Sequence, residues 1–155
     1  MERKMRRQDK FMAESECMEV LESAEYGTLA TISEDDTPYM TPMNFVHLDG
    51  FIYFHCAKEG HKLENIEKNP QVCFSVVDSV ELLPEKFSTK FRSVIIFGTI
   101  EIVKDTEEKR KSICAIAEKL SPDYHDEGIK YIDSAFDNIH MLKLKVDKIT
   151  GKAAK

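Results

Sequence analysis

The sequence predicts an α+β fold in which helices flank an antiparallel β-barrel, and three observations lead there. The middle of the chain holds short runs rich in β-branched and aromatic residues, two of them joined by the tight-turn pair Asp49-Gly50. Helical patterns stand before, within and after those runs, without the regular strand–helix alternation that the crossovers of a parallel sheet require. The glycine-rich turn of a dinucleotide-binding α/β unit is missing, and Thr150-Gly151-Lys152 lacks the upstream glycine of a P-loop, so it reads as a tail.

Each element has its own signal. Residues 14–25 set Cys17, Leu21 and Ala24 at helical spacing among carboxylates, an amphipathic helix. Residues 26–33 (YGTLATIS) read as a strand, 34–38 as a turn, 39–48 as an alternating strand up to Asp49-Gly50, and 51–57 as its return. Pro38 and Pro42 cannot donate to a ladder, so the strand 39–48 is expected at an edge or broken by a bulge, with backbone groups left over for something else. Gly60, His61 and Lys62 open a short helix that Pro70 ends. Residues 71–77 form a nearly continuous apolar strand, 82–90 a loop, and 93–103 a long strand in which Gly98 marks a barrel bend. Asp105 with Glu108 gives a capping-box-like start, Ile113, Ile116, Ala117 and Leu120 an apolar stripe, and Ser121-Pro122 a stop. Residues 123–138 are polar with a weak helical signal over 128–136, and 140–149 return to alternation with lysines outward. The count is five or six strands around one core.

Composition narrows the function. A chain of 155 residues without repeats fits one domain, 1–155. With 22 Lys+Arg against 28 Asp+Glu the net charge is −6, which argues against a general nucleic-acid or anionic-membrane binder and makes any anion site local. Cys17, Cys56, Cys73 and Cys114 form no CxxC pair and follow no secretory segment, so neither zinc nor disulfides are expected, and a reducing cytoplasm is. No apolar run approaches the roughly 20 residues that span a bilayer. The basic start MERKMRRQDK, interrupted by Glu2 and Asp9, reads as solvated or locally docked. His47, His125 and His140 share no metal-ligand spacing.

The start of the helix after residue 60 is the local anion site that remains. A helix of about eight residues leaves first-turn amides unpaired and a partial positive charge beside them, which suits a phosphate. Gly60 permits close approach, Lys62 adds a full charge and His61 a further donor. Taken alone, the tripeptide also fits two solvated side chains on a first turn.

The longer stretch from YGTLATIS through GHKLENIEKNPQVCFSVV (26–77), continued by KFSTKFRSVIIFGTIEIV (86–103) and TGKA (150–153), resembles the FMN-binding split-barrel family, in the branch related to pyridoxamine 5′-phosphate oxidase and the nitroimidazole-resistance (Nim-type) proteins. The resemblance implies a six-stranded split barrel, a homodimer, and FMN bound between the subunits. Gly60-His61-Lys62 matches the oxidase's Ser-Arg-Lys phosphate-binding segment, so the implied anion is the FMN phosphate. Met43, Asn44 and Phe45 match the strand that borders the flavin ring, and His55 and Cys56 the strand beside it. Ser93 matches a glutamine that reaches the cofactor, across the dimer; the loop carrying Phe87 and Ser88 is implied nearby, although an ordinary polar connection explains it as well. The oxidase's C-terminal tryptophan and substrate-binding arginine have no counterpart, because the sequence has no Trp and ends in TGKAAK. Pyridoxine phosphate oxidation is therefore not expected.

The Nim-type resemblance implies reduction of small nitro-aromatics or similar electron acceptors through the flavin. His55 is the expected catalytic residue, a donor beside the ring; it shares a strand face with Phe51 and Tyr53, so a hydrogen-bonded core histidine is the other reading. Cys56 is expected as a small core residue rather than a redox thiol. Without a visible acid–base pair, a non-catalytic flavin- or haem-binding module for storage or sensing is the competing function.

Overall fold

The computed structural model describes residues 3–155. Its elements are α1 (Glu14–Ser23), β1 (Tyr26–Ile32), β2 (Pro38–Asn44), β3 (Val46–Leu48), β4 (Phe51–Ala57), α2 (His61–Lys68), β5 (Gln71–Leu83), β6 (Ser88–Ile102), α3 (Thr106–Leu120), α4 (His125–Ala135) and β7 (Ile139–Ala154). The strands form one antiparallel sheet in the order β2-β1-β5-β6-β7-β4-β3. Its two edge strands, β2 and β3, are consecutive in the chain and joined by Phe45 alone. One residue bridges only a few ångströms. The sheet must therefore curl until its edges approach each other, and β2 does come close to β4.

This accounts for seven strands where six are expected. The run 39–48 is not one strand but two, because the chain leaves the β1 ladder after Asn44 and joins the β4 ladder at Val46. Of the alternatives that Pro38 and Pro42 leave open, the edge position occurs; the ladder to β1 runs through both prolines without a bulge, and the break comes at Phe45. The sheet with its flanking helices is consistent with a split-barrel fold.

Three further expectations change. The expected loop 82–90 is the end of a long hairpin: β5 runs to Leu83, Pro84–Lys86 make one 3-10 turn, Phe87 turns left-handed (φ 49°), and β6 begins at Ser88. The polar stretch 123–138 contains the full helix α4, held by Ile132 against Ile113 and Ile116 of α3. The expected tail at 150–152 lies inside β7, where a Cβ on Gly151 would stand 2.4 Å from the Cys17 sulfur, so only glycine lets α1 pack there. The described part of the basic N-terminus docks on the same strand, with the Met12 amide donating to the Gly151 carbonyl (3.0 Å) and Lys148 Nζ to the Arg3 carbonyl (2.7 Å); Glu2 lies outside the described residues.

Other local readings are realised. Gly98 sits at a β-bulge against β7, and a Cβ there would lie 2.0 Å from the Lys145 carbonyl oxygen. Asp105 caps α3 by accepting from the Glu108 amide (2.9 Å), but the Glu108 carboxylate, instead of closing a capping box, accepts from Tyr53 (2.6 Å) and pairs with Lys143 (2.7 Å). The curled interior is filled by Leu29, Phe45, Phe54, Phe74, Ile96 and Leu142, with Phe74 edge-on to both other phenylalanines at 5.0 Å. A second cluster, around Met141, Tyr53, Ile113 and Ile132, seals α3 and α4 to the outside of the sheet.

Candidate functional site

The curl leaves a gap. β3 pairs with β4 as Val46↔Tyr53, His47↔Ile52 and Leu48↔Phe51. Continued backwards, this register would oppose Phe45 to Phe54, Asn44 to His55 and Met43 to Cys56, yet no ladder forms there. Residues 54–57 of β4 pair only with β7, and β2 pairs only with β1. Two strands thus turn one unpaired edge each toward a common opening, and five of the expected site residues lie on its two sides.

Their side chains are used unequally. Met43 and Phe45 point into the core and are buried, so what they offer the opening is backbone. Asn44 donates its amide to the Glu25 carbonyl (2.9 Å), toward β1. Cys56 is buried, and burial pushes its thiol upward against the opposing pull of Lys62, which keeps it protonated and unreactive at neutral pH. His55 has an exposed side chain with a pKa held below the ordinary imidazole value, first by the neighbours that shield it and then by the charge of Lys62. It is therefore neutral at pH 7 and is not the core histidine of the alternative reading.

α2 begins at one end of this opening. Gly60 is its N-cap at φ 146°, with open space where a Cβ would stand, and no side chain caps the helix. The first intrahelical bond runs from the Glu64 amide to the Gly60 carbonyl (3.1 Å), which leaves the amides of His61, Lys62 and Leu63 without a partner inside the helix. Lys62 is half-buried and forms no ion pair among the described residues. Its charge acts on both His55 and Cys56, so the helix start and the end of β4 belong to one electrostatic neighbourhood.

His61 is anchored differently. Its ring lies 4.0 Å from that of Tyr39 on β2 and its Nε2 shares a hydrogen bond with Ser33 Oγ (2.9 Å). Behind it, the buried Asn65 donates to Thr31 Oγ1 (2.9 Å), and Thr31 donates to the Tyr39 carbonyl (3.4 Å). The chain of bonds locks α2 to the β1–β2 hairpin, a job that sequence reading missed because Asn65 and Thr31 carry no motif. A surface pocket of about 520 Å³ beside His61 is lined by Glu34, Asp35 and Glu64 and by one cation, Lys68, which is already paired with Glu34 (2.6 Å). Three carboxylates against one paired lysine still repel an anion, which leaves the Lys62 side of the helix start as the favourable one.

Thr41, also unmarked in the sequence, adds an observation of another kind. Its hydroxyl oxygen, on β2, is buried and has no hydrogen-bond partner in the described structure. Such an orphan costs about 1–3 kcal/mol unless a further group satisfies it.

Ser88 and Ser93 are not brought to the opening within one chain. Ser93 pairs with Val77 and Lys152, and Ser88 lies at the hairpin end opposite Leu83. The part of β6 nearest His55 is Ile102, whose β7 partner Leu142 adjoins Met141, the partner of His55. Nine residues of strand separate Ser93 from it, about 30 Å at 3.3 Å per residue. Around Ser93 the outside of the sheet is largely apolar and uncovered: the row Met40–Ala30–Cys73–Phe97 and, with two small hydroxyl residues in its middle, the row Pro42–Thr28–Ser75–Ile95 cross four strands, with Met40 66% and Phe97 46% exposed. Among the described residues no group of three or more His, Cys, Asp or Glu side chains is arranged to hold a metal ion.

The family model described as Pyridoxamine 5′-phosphate oxidase matches residues 13–153. The chain is similar to a candidate 5-nitroimidazole antibiotic resistance protein from Bacteroides thetaiotaomicron, with 26% identity over 92% of this chain and 86% of that one, and a TM-score of 0.75. It is similar to a conserved hypothetical protein from Mycobacterium tuberculosis at 25% identity over 97% and 90%, TM-score 0.83. A FAD and haem binding protein from Mycobacterium smegmatis shares the fold at 18% identity over 94% and 74%, TM-score 0.78. No curated protein matches the sequence.

Proposed function

The chain belongs to the pyridoxamine 5′-phosphate oxidase family, and from that premise we propose that it is a cytoplasmic, single-domain, homodimeric split-barrel protein that binds FMN and reduces small nitro-aromatic or similar electron acceptors. One observation carries the reading: the edges of β2 and β4 that face each other are unpaired, and a half-buried lysine without an ion pair among the described residues acts on the β4 side of the gap, while β2 also carries the orphaned Thr41 hydroxyl. A planar ring rich in amide-like donors and acceptors answers the two edges and the hydroxyl, and a phosphate answers Lys62 and the free amides of α2. FMN has both parts, so the residues present fit it.

Bound there, the flavin supplies the electrons for reduction. Lys62 and the amides of His61, Lys62 and Leu63 hold the phosphate, while Gly60 leaves it room. The backbone of Met43, Asn44 and Phe45 fixes the ring from one side, and the end of β4 with Cys56 from the other. His55, neutral at pH 7, donates a hydrogen bond to the acceptor's nitro or carbonyl oxygen as negative charge grows on it. Ser88 and Ser93 would come from a second copy, whose docking covers the apolar rows of β1, β2, β5 and β6. The similarity to the candidate nitroimidazole resistance protein supports the choice of acceptor. Among the described residues no helix is long and apolar enough to cross a membrane.

A second reading, a non-catalytic flavin- or haem-binding module, draws on the lack of an acid partner for His55 among the described residues and on the FAD and haem binding neighbour. The absorbance spectrum of freshly purified protein, followed by oxidation of a reduced nicotinamide with a nitro-aromatic, separates the two. Flavin absorbance with acceptor-dependent turnover supports the first reading, and bound cofactor without turnover the second. Failure to bind FMN, FAD or haem would sink both.

A further inference from the structure

Lys119 lies in the last turn of α3, where a lysine ordinarily reaches into water. Here its ammonium instead turns inward. It donates to the carbonyls of Leu21 (3.2 Å) and Phe45 (3.1 Å) and lies 3.8 Å from the centroid of the Phe45 ring. Leu21 is in the last turn of α1, whose carbonyls lack amides ahead of them, and Phe45 is the one residue outside both edge strands. Lys119 has no ion pair among the described residues; the nearest carboxylate acting on it, Glu22, is paired with His47 at 3.3 Å. Burial lowers its pKa, as expected for a cation held by carbonyls and a ring face rather than by an opposite charge.

We propose that Lys119 is a positioning residue for the opening between β2 and β4: by gripping the carbonyl and the ring of Phe45 it fixes the corner where the chain crosses from one sheet edge to the other, and so sets the spacing of the edges that receive the flavin ring. The reach of the grip follows from topology. Phe45 is the sole covalent link between β2 and β3, and the interrupted register opposes it to Phe54. Whatever moves Phe45 moves Asn44 and Met43 against His55 and Cys56. Because the same ammonium holds the end of α1, the corner is tied to two helices rather than to a strand ladder, which would have closed the opening.

The inference rests on the flavin reading of that opening, so its test has one arm that needs no flavin. In Lys119→Met, hydrogen–deuterium exchange of flavin-free protein should speed up over residues 43–48 by about tenfold, while the β5–β6 hairpin stays unchanged. FMN titration should show Kd raised by about tenfold or more, and Lys119→Arg, which keeps a cation with several donors, should return both readouts to within about threefold of wild type. Ile132→Ala, which loosens the α3–α4 cluster without touching Phe45, serves as the control for general destabilisation and should leave both unchanged. Unaltered exchange over 43–48 in Lys119→Met would overturn the proposal, as would an equal loss in Ile132→Ala. Should Lys119→Met not fold, Lys119→Gln is judged by the same criteria. If wild type binds no FMN, the flavin reading fails and the exchange arm still decides the role of Lys119.

Discussion

Replacing Lys62 by glutamate reverses one charge at the α2 start and disturbs little else, because the side chain is half-buried and forms no ion pair among the described residues. A charge-assisted hydrogen bond to a phosphate contributes about 1.5–3 kcal/mol, and the partly solvated position favours the lower part of that range. The new carboxylate adds repulsion, about 1 kcal/mol for unit charges 4 Å apart in water and about 4 kcal/mol at a protein surface. Together these give about 2.5–6 kcal/mol, or FMN binding weaker by about 70- to 25,000-fold. Folding should respond in the opposite sense. A carboxylate in the first turn of a helix is favourable by about 0.3–1 kcal/mol, partly offset here by Glu59 and Glu64, so Lys62→Glu should melt no lower than wild type. Because Lys62 lowers the pKa of His55, the same variant should raise it, which an NMR titration of the flavin-free protein reads directly. Lys58→Glu, four residues upstream, should affect FMN less. Isothermal titration and thermal melting together check the argument. Equal FMN affinity in wild type and Lys62→Glu, or a lower melting temperature of the variant when both proteins are flavin-free, would refute it.

His55→Ala should lower acceptor-dependent turnover by about 10²–10⁴-fold while FMN affinity stays near wild type, as steady-state kinetics and titration would show; wild-type turnover would remove His55 from the chemistry. Stability should fall as pH drops below about 6.5, because shielding and neighbouring cations hold His55 and His140 below their unfolded pKa and the unfolded chain then takes up more protons. Melting curves from pH 7 to 5 should flatten in His55→Gln/His140→Gln, and an unchanged slope would assign the acid sensitivity elsewhere. Phe97→Lys places a charge in the middle of the exposed apolar rows and should yield monomers that lose FMN, measured by sedimentation; a monomer that retains FMN would show that one chain suffices for the site.

Phe45 marks the boundary between what this sequence discloses and what it hides. The alternation over 39–48 is legible and so is the ladder defect at Pro42, since both depend only on side-chain period and a missing N–H. That the next residues serve opposite edges of the sheet depends on pairings with β1 and β4, made by segments before and after. The α3 cap at Asp105 is legible for the same local reason, whereas the Glu108 carboxylate is claimed by Tyr53 and Lys143, which only tertiary packing brings near. The hairpin end at 82–90 hides because its left-handed position is Phe87, not a glycine, so the turn carries no conformational flag. At the site, Gly60 and Lys62 are readable from the chemistry of a helix start. Thr41 is not, because an unsatisfied hydroxyl becomes visible only when every neighbour has been accounted for.

An opening between two strand edges is an unstable arrangement unless something prevents it from closing or from recruiting another chain. The interrupted register would allow β2 to continue the β3–β4 ladder through Phe45, Asn44 and Met43. Three features work against that outcome. Pro38 and Pro42 remove two donors from the seven residues of β2. The Phe45 carbonyl is taken by Lys119, and its ring is wedged against Phe74 in the interior. The start of α2, fastened to β2 through Tyr39, Ser33 and Asn65, holds a positive charge at the end of the opening, where a strand ladder would supply nothing to meet it. These features lie on β2, α2 and α3. Their common effect is to keep backbone groups and a hydroxyl unpaired at the cost of stability, which is the pattern of a fold that trades some of its own hydrogen bonding for a ligand's.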